Sequence, residues 1–217
     1  MGGLRDVGRI YLQRRYAILF YTLLVTMVVS PLMAALAMSG ILIESLLAVC
    51  LLAAVMPVDV GKNKTLLIAV MAGAWLARPV AALLGHKTLS AMTLGAWTLI
   101  GLLAAAAALR FAMRGPKVDG EHLFAALSAY LLAGIYFGLF YWVLEQVQPG
   151  MFTASNFSRA SAIYFSFVTL ATLGYGDIVP RTDVARGLAI VEGVGGQLFL
   201  AVLVARLVSL YSSSAKD

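Results

Sequence analysis

Six long apolar runs constrain this chain more than any other feature, lying near residues 16–37, 40–58, 65–85, 88–109, 122–144 and 184–211. About 20 mostly apolar residues are needed for a helix to cross a bilayer. In hydrocarbon the backbone must satisfy its own hydrogen bonds, so a run of this length has helix as its natural structure. The chain is 62% hydrophobic and 12% charged, against roughly half and a quarter in soluble domains. A further apolar stretch, about 160–171, is too short to cross. Lying between the fifth and sixth runs, it reads as a re-entrant helix, which is tolerated at membrane depth only where protein or a water-filled cavity surrounds it. The fold class expected is therefore an all-α membrane protein of six spans with one re-entrant helix.

Basic residues set the expected orientation. The N-terminal segment carries Arg5, Arg9, Arg14 and Arg15, the second loop Lys62 and Lys64, the fourth Arg110, Arg114 and Lys117, and the tail Lys216. The first loop, near Met38–Gly40, has none and the third only Lys87. Alternate loops are basic, which puts both termini in the cytoplasm of a multi-pass plasma or inner-membrane protein. Arg159 and Arg181 then fall on the outer side and depart from the rule. This distribution assigns the net charge of +6 to topology and lipid headgroups rather than to nucleic acid. Residues 4–15 read either as a short surface helix, with Leu4, Val7 and Tyr11 on one face, or as a plain leader. The first run is longer than a signal-peptide core, despite the cleavage-like Ala35-Leu36-Ala37.

Residues with catalytic or ligating chemistry are sparse. Cys50 sits alone in an apolar run, and His86 and His122 lie at span ends. No clustering suggests a metal-ligand set, a cofactor or an enzyme. Gly61-Lys62-Asn63-Lys64-Thr65 lacks the glycine-rich turn of a phosphate loop, and Gly193-Val194-Gly195-Gly196 lies inside a span rather than at a strand-to-helix turn. Asn156-Phe157-Ser158 fits a glycosylation acceptor, expected to be silent.

The stretch that carries function is Thr169-Leu170-Ala171-Thr172-Leu173-Gly174-Tyr175-Gly176-Asp177, placed just after the short apolar segment and before a full span. It resembles the selectivity-filter signature of potassium channels, T-x-x-T-x-G-Y-G-D. The resemblance covers about residues 122–211 and is to the pore module of the bacterial ion-channel family. It implies that carbonyls of Thr172, Leu173, Gly174 and Tyr175, with the Thr172 hydroxyl innermost, replace the water around a potassium ion. Consecutive inward carbonyls require alternating ordinary and left-handed backbone, which Gly174 and Gly176 accept without steric penalty. Tyr175 is expected to point away from the ion path and pack against Tyr164 and Phe165, with Val168 and Thr169 also supporting the loop from the short helix. Asp177 is expected at the outer mouth, where it raises local cation concentration. Where some bacterial members have a glutamate four positions before the filter threonine, this chain has Val168, so Asp177 lacks that partner.

The sixth run adds Glu192, Gly193, Gly195, Gly196 and Gln197. Gly196 falls where family members have the inner-helix glycine, and reads as a gating hinge; Gly193 and Gly195 read as packing positions. Glu192 is an intramembrane ionisable group, expected to meet Thr169 or Ser166 or, alternatively, to face the cavity. Val208 and Tyr211 are the candidate inner constriction. Gly134 and Gly138 in the fifth run form a G-x-x-x-G packing face. Glu44 and Arg78 are the other charges well within spans, expected to pair or to face a crevice.

Six spans with the signature between the last two resemble voltage-gated channels, but the run from Leu89 to Leu109 holds no basic residue. Steep voltage gating needs several charges on a moving helix, so weak or absent voltage dependence is expected. The expected organisation is an interfacial segment (1–15), a four-helix region (16–110), a linker (111–121), a pore domain (122–212) and a short tail (213–217). One helix–loop–helix unit cannot enclose a pore, so a homotetramer is implied, with potassium as the permeant ion and no cofactor. The alternatives are a non-selective cation channel, a non-conducting receptor on the same scaffold, and a transporter subunit, which would carry four such units in one chain.

Overall fold

A computed structural model describes residues 14–29, 73, 87–114 and 119–214, and the described secondary structure is helical apart from one isolated bridge. Helix α1 covers residues 14–29. Then come α2 (Lys87–Ala112), α3 (Gly120–Val147), the short α4 (Arg159–Leu170) and α5 (Asp183–Ser214). Three stretches are long and apolar enough to cross a membrane: Thr93–Ala112, Gly120–Val147 and Asp183–Ser209. Glu44, Arg78, Cys50, the second apolar run and all of the third but residue 73 lie outside the described residues.

The chain divides into two compact units, residues 1–73 with 103–132, and residues 74–102 with 133–217. In the first unit, α1 buries Tyr16, Leu19, Leu23 and Thr26, spaced to share one helical face. Also buried in this unit are many small residues: Ala104, Ala105, Ala108 and Ala112 on α2, and Ala125, Ala126, Ser128 and Ala129 on α3. Small side chains let helix backbones approach closely. The Glu121 carboxylate accepts hydrogen bonds from the Tyr16 and Ala17 amides at 3.0 and 3.4 Å. Phe111 stacks between Tyr16 and His122, with ring centroids 4.7 and 4.8 Å away.

In the second unit, α2 and α3 meet where Gly101 faces Tyr136; a Cβ on Gly101 would lie 2.2 Å from that ring. The glycine pair of α3 receives α4. A Cβ on Gly134 would strike the Phe167 ring at 2.5 Å, and one on Gly138 would lie 2.5 Å from the Ile163 Cα. Helix α4 starts at the N-cap Ser158, whose hydroxyl accepts from the Ser161 amide at 3.1 Å, a contact of about 1 kcal/mol. It buries Ala162, Phe165, Ser166, Val168 and Leu170. Behind it Tyr141, Phe152, Phe157 and Phe165 form an aromatic core, Phe152 and Phe157 stacking at 4.2 Å.

Candidate functional site

The loop after α4 is held at both ends. On its far side, the segment before α4 bridges the segment after the loop: Phe152 pairs with Pro180, the Thr153 amide donates to the Val179 carbonyl at 3.1 Å, and the Arg181 amide to that of Met151 at 2.7 Å. At its near end the loop's amides fold back onto the last turn of α4. Thr172 N–H donates to the Thr169 carbonyl at 3.0 Å, and Leu173 and Gly174 N–H to the Val168 carbonyl at 2.9 and 3.4 Å. Thus Val168 and Thr169 support the loop through their backbone.

Between these anchors the backbone alternates. Thr172, Gly174 and Gly176 have φ of 57°, 57° and 79°, with residues of ordinary φ between them. Extended chain points successive carbonyls to opposite sides. A left-handed residue at every second position turns half of the peptides over, so that successive carbonyls face one way. Thr172 is the one non-glycine residue in this conformation among the described residues, and strain of this sort clusters at functional sites. Gly174 and Gly176 mark the alternation in sequence, and Thr172 extends it by one further step of two. Among the described residues, no hydrogen bond reaches the carbonyls of Thr172 through Gly176; the loop spends its amides inward and leaves these oxygens available.

The side chains divide into those seated in their own chain and those exposed on it. Tyr164 lies near the Asp177 carboxylate. Leu173 and Tyr175 are exposed, Tyr175 by 68%. Phe165 turns to the aromatic core, edge-on to Tyr141 and Phe152 with centroids 5.1 and 5.2 Å away, where its ring fills space between α4 and α3.

Glu192 is buried on α5, 1% exposed. The Tyr141 hydroxyl donates to its Oε2 at 2.7 Å, and the Ser166 hydroxyl, which also reaches the Gly134 carbonyl at 2.7 Å, bonds to Oε1. One carboxyl group thereby ties α5 to α3 and α4 behind the loop. Ser166 was one of the partners expected; Tyr141 carries no signal that separates it from the other tyrosines.

Gly196 packs at the end of α4, where a Cβ would lie 2.6 Å from the Leu170 carbonyl oxygen. A Cβ on Gly193 would make only ordinary contact with Thr169, and one on Gly195 would have nothing within 4 Å. The close approach within one chain is thus at Gly196, the position read as a hinge. Gln197, beside it, reaches the Thr172 hydroxyl at 3.5 Å. Val208 is exposed, and the side chain of Tyr211 lies outside the described residues.

Comparison with known proteins fits this geometry. A family model described as "Ion channel" matches residues 126–213. The two pore potassium channel c of Oryza sativa subsp. japonica is 41% identical over 91 residues, covering 41% of this chain and 18% of that protein. The inward rectifier potassium channel Kirbac3.1 of Paramagnetospirillum magnetotacticum is 38% identical over 77 residues, covering 34% of this chain and 24% of that protein. Protein LctB of Bacillus caldotenax is 30% identical over 100 residues, covering 42% of this chain and 74% of that protein. The chain thus spans less than a quarter of the two named channels and most of LctB. No solved structure matches the chain significantly.

Proposed function

Since this membrane protein belongs to the ion-channel family, among the potassium-channel pores, and is not an enzyme, we propose that it is one subunit of a homotetrameric potassium-selective channel for passive flux. The observation that carries the reading is the alternating backbone at Thr172, Gly174 and Gly176, with the intervening carbonyls unbonded. Four copies around an axis stack rings of oxygens from Thr172, Leu173, Gly174 and Tyr175 that replace a potassium ion's hydration shell. Helix α4 ends at this loop, and a helix C-terminus carries partial negative charge, which favours a cation. Asp177 adds carboxylates at the outer mouth.

Each subunit contributes six spans with both termini in the cytoplasm of the plasma or inner membrane. Bending of α5 at Gly196 opens and closes the inner end near Val208 and Tyr211. Voltage dependence is weak, since α2 carries its basic residues, Lys87 and Arg110, near its ends.

Flux from purified protein in liposomes tests this, with a potassium gradient in one set and a sodium gradient in another. Potassium-driven flux alone supports the proposal, and equal flux means a non-selective pore. If neither ion moves and native mass spectrometry finds no tetramer, the reading fails in favour of a non-conducting receptor. A steeply sigmoidal conductance in a voltage ramp would remove the claim of weak voltage dependence.

A further inference from the structure

Two polar side chains, Glu192 and Gln197, interrupt the apolar stretch from Leu188 to Ala205 of α5. Polar groups inside a span are costly and call for a partner. Glu192 has two, behind the loop. Gln197 has one, and it is the Thr172 hydroxyl: its Nε2 donates to Oγ1 at 3.5 Å. The neighbouring residue makes this reach possible. Gly196 presents no side chain to the Leu170 carbonyl, so α5 approaches the end of α4 closely enough for the amide of residue 197 to touch residue 172.

We propose that Gln197 is a positioning residue for ion release, which weakens ion binding at the innermost oxygen ring through its contact with the Thr172 hydroxyl. The inference rests on the channel reading, in which that hydroxyl is an ion ligand. A hydroxyl oxygen has two lone pairs. When an amide N–H takes one, the oxygen keeps a single lone pair for a cation, and the positive end of the N–H dipole lies on the same oxygen. Both effects oppose the ion. Conduction needs sites that bind well enough to admit an ion and weakly enough to release it. Gln197 shifts the innermost ring toward release into the cavity.

The probe is barium, a divalent cation close to potassium in size, which magnifies any change in ligand field. Barium binding to the purified full-length protein is measured by calorimetry, and potassium flux is measured in liposomes from the same preparation. Gln197→Leu removes the donor and is expected to tighten barium binding by up to about five-fold, the ceiling set by one ordinary hydrogen bond, since the contact is a long one at 3.5 Å. Gln197→Asn keeps an amide but shortens its reach, and is expected to follow the Leu variant. Gln197→Glu replaces the donor by an acceptor and tightens binding further. Unchanged or weaker binding in both the Leu and Asn variants, with a conducting parent, overturns this inference alone. A parent that neither binds barium nor passes potassium overturns the channel reading beneath it.

Discussion

Helices α3 and α5 are nearly equal in length and apolarity, yet 56% of the most apolar window of α3 is buried within the chain and only 11% of that of α5. The difference lies in what each helix offers its neighbours. Helix α3 places Gly134 and Gly138 under α4 and seals the contact with Tyr141 in the aromatic core. Helix α5 keeps Val184, Ile190, Val191, Val194 and Leu198 exposed and turns Glu192 toward its own chain. Hydropathy reports that both avoid water. It does not report whether the replacement is the same chain, another copy or lipid, because all three are apolar solvents for a valine.

The largest test of this contrast removes the polar tie between the two helices. Glu192→Ala leaves the Tyr141 hydroxyl buried without its acceptor, at about 1–3 kcal/mol, while the Ser166 hydroxyl keeps the Gly134 carbonyl. A marked fall in melting temperature in detergent, with loss of ion selectivity, is expected. Glu192→Gln keeps the shape and both hydrogen-bonding positions and should recover most of the loss. Equal damage from both substitutions would mean that the charge, rather than the network, holds the helices.

Next in size is the glycine face of α3. Gly138→Ala sets a methyl 2.5 Å from the Ile163 Cα, a backbone atom that cannot step aside as a side-chain end can. Overpacking of this kind costs about 1–3 kcal/mol, and thermal unfolding of the purified protein should register it. Its counterpart on α5 is Gly195→Ala, where the added methyl meets nothing in the same chain. Relief of the helical penalty of glycine then stabilises the subunit by up to about 1 kcal/mol. If Gly195→Ala instead abolishes assembly into the proposed tetramer in native mass spectrometry, a neighbouring copy occupies that space, and the low burial of α5 within one chain reflects assembly rather than lipid.

What could be read in advance follows the same division. The positions of α2, α3, α4 and α5 are legible because run length and apolarity decide helix against loop. Gly174 and Gly176 announce left-handed backbone because only glycine adopts it freely; Thr172 does so under constraint, and its side chain gives no sign. Glu192 is conspicuous as a charge in an apolar run, so its need for a partner is legible, but Tyr141 looks like any interfacial aromatic. Phe165 is legible as an aromatic of α4, but which side of α4 carries its ring depends on the space left by α3, a tertiary quantity. Gly196 shows a similar limit: a glycine in a helix signals bending and close packing alike, and the Leu170 carbonyl only appears once the helices are placed.

The smallest effect compares the N-termini of the two helices. Helix α3 is capped by Asp119, whose Oδ1 accepts from the His122 amide at 3.0 Å and lies 2.7 Å from the His122 ring nitrogen. Helix α5 is capped by Thr182, whose hydroxyl accepts from the Ala185 amide at 3.3 Å. Only the first cap titrates. Hydrogen bonds from the His122 side chain and amide hold the Asp119 carboxyl below its usual range. A lowered carboxyl pKa in the folded state stabilises above the unfolded value, and that contribution disappears as pH falls through the lowered one. Acid should therefore loosen the first turn of α3 while leaving that of α5 intact. Hydrogen exchange at Leu123 and Arg186, compared between the parent and Asp119→Asn from roughly pH 5 to pH 2, reads this directly. Asparagine caps about as well as aspartate but does not titrate, so the acid-dependent difference should vanish in the variant. Should Asp119→Asn lose protection at Leu123 over the same range as the parent, the cap is not what acid attacks, and the two helix starts differ for another reason.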